Sequence, residues 1–374
     1  MPALFPGLRI EAAELRLIRL PLITPFVIST GTMTEKHILL LTLRAEGLEG
    51  YAEGVMDPLP DYLEETIPGG LAFLREAILP QIIGRRFGNP AELGAILTPW
   101  RGHRMSKAMV EMALWDLWAK ALNLPLAAAL GGVRDRVDSG VSLGIADIPV
   151  TLDRVGAALA QGYKRIKLKI RRGHDLAMIA EVRRQFPEAR LTVDANTDYR
   201  LTDLPLFHAM DQFGLDYIEQ PLAFDDIHDH ARLQARLVTA LCLDESIRSA
   251  TDARQALVAG ACRVVNIKVG RVGGHGAARA IHDLCAGFDV PVWCGGMLEA
   301  GIGRAHNIHL STLANFTKPG DVASASRYFH RDIIRESLDV VDGVMAVPVA
   351  GPGIGVTPDH GFIDTITATR EVVK

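Results

Sequence analysis

The chain has 374 residues, 48% of them hydrophobic and 22% charged, a composition that supports a large buried core and a length above that of one ordinary domain. The formal net charge of −4 argues against a nucleic-acid surface or a polybasic membrane patch. The longest aliphatic runs, such as Ile38–Leu43, have strand length, and Met1–Gly7 carries no basic leader before an apolar stretch, so no secretory signal and no membrane span are expected. Cys242, Cys262, Cys285 and Cys294 lack CxxC spacing and read as buried free thiols of a cytoplasmic protein.

In chain order, Arg9–Leu20 and His37–Arg44 read as strands. The turn Ala45–Gly50 leads to a further strand near Tyr51–Gly54. Ser106–Leu122 has the period of an amphipathic helix with Met109, Met112, Trp115 and Trp118 on its apolar side. After Gly131-Gly132 the texture changes. Short β-branched runs at Val137–Leu143, Arg165–Ile170, Leu191–Asp194, Tyr217–Gln220, Leu241–Asp244, Val264–Val269 and Val290–Cys294 alternate with helical stretches. This succession predicts parallel βαβ units, with an eighth strand around Ala323–Ser326, and suits a closed barrel; periodicity alone leaves a long open sheet possible. The last 40 or so residues, with Pro348, Pro352 and glycines 351, 353 and 355, return to irregular structure and are expected to pack back on the N-terminal unit.

Five charged residues stand at the C-terminal ends of five successive strands: Lys169, Asp194, Glu219, Asp244 and Lys268, separated by 25, 25, 25 and 24 residues. One such interval is one strand, one helix and two loops, so in a barrel all five project into the mouth where that fold places its active sites. Unpaired, the three acids would repel one another and be costly to desolvate. A bound cation removes that cost, and an all-carboxylate set favours a hard ion, Mg²⁺ or Mn²⁺. The competing structural reading is a buried salt-bridge network between the acids and nearby lysines or arginines. Lys167 and Lys169 are two apart on one strand and face the interior together. Lys268 approaches from the opposite flank. A substrate carboxylate on the metal would have its α-carbon between two amines, and neighbouring positive charge would tune Lys169 as a base. The metal would stabilise the enediolate formed when the proton leaves.

Lys167-Leu168-Lys169, Asp194-Ala195-Asn196, Ile218-Glu219-Gln220-Pro221, Asp244-Glu245-Ser246 and Asn266-Ile267-Lys268 resemble the muconate-lactonising-enzyme branch of the enolase superfamily. Gly295–Asn307, with Arg104–Ala113 and Val141–Gly144, is similar to the N-acylamino acid (N-succinylamino acid) racemase and o-succinylbenzoate synthase family over essentially the whole chain. The resemblance implies an α/β fold, a modified (β/α)₈ TIM barrel with an α+β capping domain. Its division would be a cap over 1–132, a barrel over 133–330 and a C-terminal segment over 331–374 returning to the cap. It implies Mg²⁺ (or Mn²⁺) on Asp194, Glu219 and Asp244, and Lys169 and Lys268 as the acid/base pair with Lys167. Asn196, Glu245 and Asn266 would support them, and Arg271, three residues after Lys268, would tune that lysine. Substrate would be lined by Ser142, Gly295, Met297 and Leu298 and, from cap loops at 25–31 and 53–56, by Phe26, Ser29 and Met56. Ala300 stands where relatives often carry a small hydroxyl residue.

Two reactions are implied on one set of residues, with a small carboxylate as the only partner apart from further copies in a homo-oligomer. Racemisation moves a proton from one lysine to the other across the α-carbon, whereas o-succinylbenzoate synthesis, a step of menaquinone formation, is a syn dehydration. The racemase is favoured, with synthase activity as a second or even the main role. A dipeptide epimerase would share the lysines and metal but needs acids in the cap or eighth-strand region to receive an amine. A non-catalytic relative should have lost a lysine or a ligand, and none is missing. The glycine-rich Gly270–Gly276 reads as a βα loop rather than a phosphate loop, because no Gly-Lys-Ser/Thr follows. His306 and His309 read as packing or hydrogen-bonding histidines.

Overall fold

The computed structural model describes residues 7–28 and 31–374. Three antiparallel strands, Ala12–Ile28, Gly31–Ala45 and Leu48–Gly54, form a meander, and Thr367–Val373 near the chain's other end pairs along the outer edge of the first. The aliphatic run Ile38–Leu41 is buried throughout. Against this sheet lies the helix Arg104–Ala121, which also packs on Val269–Val272 and His275–Gly287 of the barrel. An amphipathic helix with one apolar side is therefore too simple a description. Lodged between sheet and barrel, it is buried almost all round, Glu111 and Asp116 included. Gly50 permits the close approach, since a Cβ there would come within 2.6 Å of Leu117 Cγ.

The barrel sheet has seven consecutive parallel strands: Gly140–Leu143, Arg165–Lys169, Leu191–Asp194, Ile218–Glu219, Leu241–Leu243, Val264–Ile267 and Val292–Cys294. They are called here the first to seventh barrel strands. Helices such as Ile148–Ala160, Leu176–Gln185 and His275–Gly287 follow them, as parallel pairing requires.

Two expectations for the barrel strands change, and in the cap the expected strand Arg9–Leu20 is split into Leu8–Arg9 and Ala12–Ile28. Val137–Leu143 is not one strand. It breaks at Ser139, so that Arg136–Asp138 pairs with Val344–Ala346 in a small antiparallel sheet and only Gly140–Leu143 enters the barrel. The Ser139 hydroxyl donates to Val322 O at 2.8 Å, and the Arg165 guanidinium packs where a Cβ of residue 140 would lie, so this break is built into the barrel wall. The eighth position is not Ala323–Ser326, where a 3₁₀ turn spans Ala325–Arg327. Residues 315–321 close the ring instead. Phe316 bridges Val292, Gly320 bridges Ser139, Gly140 N donates to Gly320 O at 2.7 Å, and Asp321 N donates to Cys294 O at 2.9 Å. Pro319 and Gly320 interrupt this segment, so no β-branched run marks it in the sequence. The four cysteines are buried and free. Among the described residues, no helix is long and apolar enough to cross a membrane.

Candidate active site

The second barrel strand alternates Ile166 and Leu168 with Lys167 and Lys169, so its two lysines share the interior face. Parallel register sets Lys169 beside Asp194, Asp194 beside Glu219, and Ser142 beside Lys167. Asp244 and Lys268 each follow the last residue of their strand. A single cavity at these strand ends is lined from the barrel by Ser142, Lys167, Lys169, Asp194, Asn196, Lys268, Gly296–Glu299, Arg304, Asp321 and Tyr328. Thr32, Met33, Lys36, Asp57, Asp61 and Tyr62 roof it from the cap. Lys169 and Lys268 thus reach one space from either side of the strands that bear the acids.

Every acid of the cluster is engaged by protein groups. Lys169 Nζ lies 2.6 Å from Asp194 Oδ2 and donates to Asn196 Oδ1. Lys167 Nζ lies 3.3 Å from Asp194, 3.1 Å from Glu219 and 2.6 Å from Asp321. Lys268 Nζ donates to Asp244 Oδ2 at 2.9 Å, while Arg271 pairs with the other oxygen of Asp244 and donates to Ile247 O and Asn266 O. Glu219 also accepts from Asn266 Nδ2 at 3.0 Å, and Asn196 Nδ2 donates to Glu245 Oε1 at 2.9 Å. Arg271 is therefore buried beside Asp244.

Burial alone would lower the pKa of Lys167, but Asp321, Glu219 and Asp194 hold it well above the usual lysine value. It stays a cation. Burial would raise Asp194 and Asp244, yet Lys169 and Lys167 keep the first low, and Arg271 and Lys268 the second. Glu219 is the exception. Burial and repulsion from Asp194 push it up to about 8 in spite of Lys167, with Asp244 adding to the repulsion. A carboxylate so placed is short of positive charge, and an oxygen-only donor set beside it fits a hard divalent cation. Among the described residues, no three His, Cys, Asp or Glu side chains converge closely enough to hold a metal in this conformation. A metal held by Asp194, Glu219 and Asp244 would share their carboxylates with the lysines, Arg271 and Asn266 that now engage them.

Four site residues had no role assigned from the sequence. Asp321, at the end of the eighth segment, pairs with Lys167 and Arg165. Arg165 is fully buried, donates to Tyr217 Oη at 2.6 Å and stacks its guanidinium 4.7 Å from the Trp293 ring centroid. Tyr62 descends from the cap, its hydroxyl 2.9 Å from Lys268 Nζ. Gln220 uses its carbonyl to accept from Asp244 N and Ser246 N and its amide to reach Ser246 Oγ, fixing the Asp244-Glu245-Ser246 loop. Asp321 lacked a strand pattern ahead of it, and Tyr62 lies in an irregular segment.

The expected lining residues divide. Ser142, Met297 and Leu298 line the cavity, and Leu298 holds a left-handed backbone at φ 57°. Gly295 lies behind it, where a Cβ would be 2.8 Å from Lys268 Cε. Met56 turns away into the cap core, against Gly54 and Gly70. Phe26 contributes backbone pairing with Met33, and Ser29 lies outside the described residues. Glu53 accepts from Ala300 N and Gly303 N at 2.9 and 2.8 Å, holding the start of the helix Gly301–Leu310. On that helix, His306 exchanges a hydrogen bond with His275 at 2.9 Å and reaches Tyr51 O, while His309 takes the amide of Ala127.

Residues 12–131 match the mandelate racemase/muconate lactonizing enzyme N-terminal domain, and residues 151–361 match the enolase C-terminal domain-like family. The chain belongs to this enolase-superfamily family. An N-succinylamino acid racemase of Thermus thermophilus is 53% identical over 96% of this chain and 98% of its own. An o-succinylbenzoate synthase of Geobacillus kaustophilus is 48% identical over 96% of each. A solved enolase-superfamily member from Listeria innocua superposes with a TM-score of 0.95 at 39% identity, covering 98% of this chain and 99% of that one.

Proposed function

We propose that this chain is a divalent-metal-dependent N-acylamino acid racemase, with N-succinylamino acids as its preferred class, that also carries o-succinylbenzoate synthase activity on the same residues. The observation that carries this reading is that Lys169 and Lys268 enter one cavity from opposite flanks of the acid-bearing strands. Relatives named for the two activities are similar to it over nearly their full length, which supports both.

Asp194, Glu219 and Asp244 would hold Mg²⁺ or Mn²⁺. That ion, when bound, would supply positive charge beside the substrate carboxylate as the α-carbon becomes electron-rich. Lys169 takes the α-proton from one face, and Lys268 delivers one to the other. Run in reverse, the roles exchange. Lys167, held as a cation by Asp321 and Glu219, contributes fixed positive charge that needs no reorganisation during the reaction. Ser142 has a buried hydroxyl without a protein partner at the cavity wall, placed to bond substrate.

The dipeptide epimerase reading is weaker. Its eighth-strand acid is present as Asp321, but Lys167 and Arg165 already occupy that carboxylate and Asp57 is held 2.6 Å from Lys36, which leaves Asp61 as the cap acid at the cavity that an amine could meet. Incubation with Mg²⁺ in D₂O and N-succinyl or N-acetyl L-amino acids should show loss of optical rotation and of the α-proton signal. Absence of exchange with all of them would overturn the racemase. Turnover of the dehydration substrate, followed by ultraviolet absorbance, tests the synthase.

A further inference from the structure

We infer that Glu111, on the cap helix and remote from the reacting atoms, is a positioning residue for Lys268, so that the cap holds one of the two bases in register. The inference rests on the racemase reading of the same cavity. Lys268 leaves the sixth barrel strand and at once enters the single turn Val269–Val272, with Val272 N bonded back to Lys268 O at 3.1 Å. Gly273 and Gly274 follow at φ 106° and 107°, and Gly274 N closes on Val269 O at 2.9 Å. The next helix starts at His275. Its first amides are captured from the cap: Glu111 Oε2 accepts from His275 N at 2.7 Å, and Oε1 accepts from Gly276 N at 2.8 Å. Trp115 Nε1 donates to Glu111 at 2.7 Å and fixes the carboxylate from its own helix.

The approach is close enough to dictate sequence. A Cβ on Gly274 would lie 2.7 Å from the Glu111 carboxyl carbon, and one on Gly270 would lie 2.5 Å from Val55 Cγ2 of the cap. Asp244 holds Lys268 Nζ and Arg271 from the barrel side, and the stretch that follows Lys268 is held from the cap side by Val55 against Gly270 and by Glu111 at Gly274–Gly276. No comparable cap carboxylate meets the second barrel strand among the described hydrogen bonds, where Lys169 is held by Asp194 and Asn196 of the barrel itself. Loss of Glu111 should therefore disturb the two bases unequally.

The test is hydrogen exchange against racemisation for each enantiomer separately, in D₂O with Mg²⁺, on the full-length protein. Lys268→Ala first identifies the enantiomer whose proton Lys169 removes, since that one alone still exchanges. For it, the C–H bond breaks towards the Lys169 amine, the ammonium exchanges with solvent, and deuterium returns to the same face when Lys268 delivers none from the other. Misplacement by an ångström or less costs on the order of tenfold to a hundredfold in rate. Glu111→Gln should therefore raise the exchange-to-racemisation ratio for this enantiomer by about tenfold. For the opposite enantiomer both processes need Lys268 first, and the ratio should not rise. If Glu111→Gln does not fold, Glu111→Asp keeps the carboxyl group, shortens its reach and is read in the same way. Equal slowing of both enantiomers with unchanged ratios would reduce Glu111 to a fold-stabilising contact and overturn the inference. A wild-type protein that exchanges neither enantiomer would instead overturn the racemase reading itself, and the positioning role with it.

Discussion

Lys169 and Lys268 differ in their surroundings although the proposed reaction treats them as partners. Lys169 is held by an aspartate and an asparagine of neighbouring strands, and Lys268 by Asp244 and the cap's Tyr62. Replacing either by alanine should lower racemisation by about 10²–10⁴-fold, the range expected for a lost general acid or base. Steady-state polarimetry checks this, and a variant with near-normal turnover would contradict the two-base scheme. Asp321 offers a second residue-scale test. Asp321→Asn leaves Arg165 buried without a carboxylate and removes one of three from Lys167, and stranding a buried charge costs about 3 kcal/mol or more. We expect a lower melting temperature together with a fall in kcat, because Lys167 is no longer aimed. A loss of stability with kcat unchanged would place Asp321 in the fold alone. The sequence pointed to Lys167 through its spacing from Lys169. It was silent on Asp321, since Pro319 and Gly320 hide the segment that carries it.

At the scale of elements, the joint between cap and barrel is made by buried carboxylates at helix starts. Glu53 sits at Gly301–Leu310 and Glu111 at His275–Gly287. Burial raises both, with Asp332 and Glu299 adding repulsion at Glu53, so their pKa values rise from 4.5 to about 8 and about 7. The backbone donors lower them only in part. In the folded state each carboxyl keeps its proton over a range where the unfolded chain has released it. Folding stability should therefore fall as pH rises from about 4.5, levelling off above pH 7 for Glu111 and above pH 8 for Glu53. Urea unfolding of wild type and Glu53→Gln between pH 5 and 9 checks the sign, because the variant should lose less stability across that window. A steeper loss in the variant would reverse the assignment. The elements themselves were largely legible, because alternation and β-branched runs report burial directly. The break at Ser139 was not, since Val137–Leu143 carries the same pattern on either side of a change of sheet.

For the whole molecule, the proposed metal should link activity to stability. Exhaustive chelation should abolish proton exchange, and added Mg²⁺ should restore it while raising the melting temperature in proportion to the logarithm of its concentration, as for any ligand bound only by the folded state. Activity that survives chelation would remove the metal from the mechanism. What the sequence by itself determined was the one-dimensional part: the interval of about 25 residues that brings Lys169, Asp194, Glu219, Asp244 and Lys268 to one end of a parallel barrel. That follows because strand length and crossover length are local properties of the chain. The tertiary structure decided what depends on distant segments meeting. It brings Tyr62 to Lys268, Asp321 to Lys167 and Glu111 to the turn after Lys268, turns Met56 into the cap core, and closes the ring through residues 315–321. Each of these contacts joins side chains or backbone from segments whose own patterns say nothing of the partner they meet.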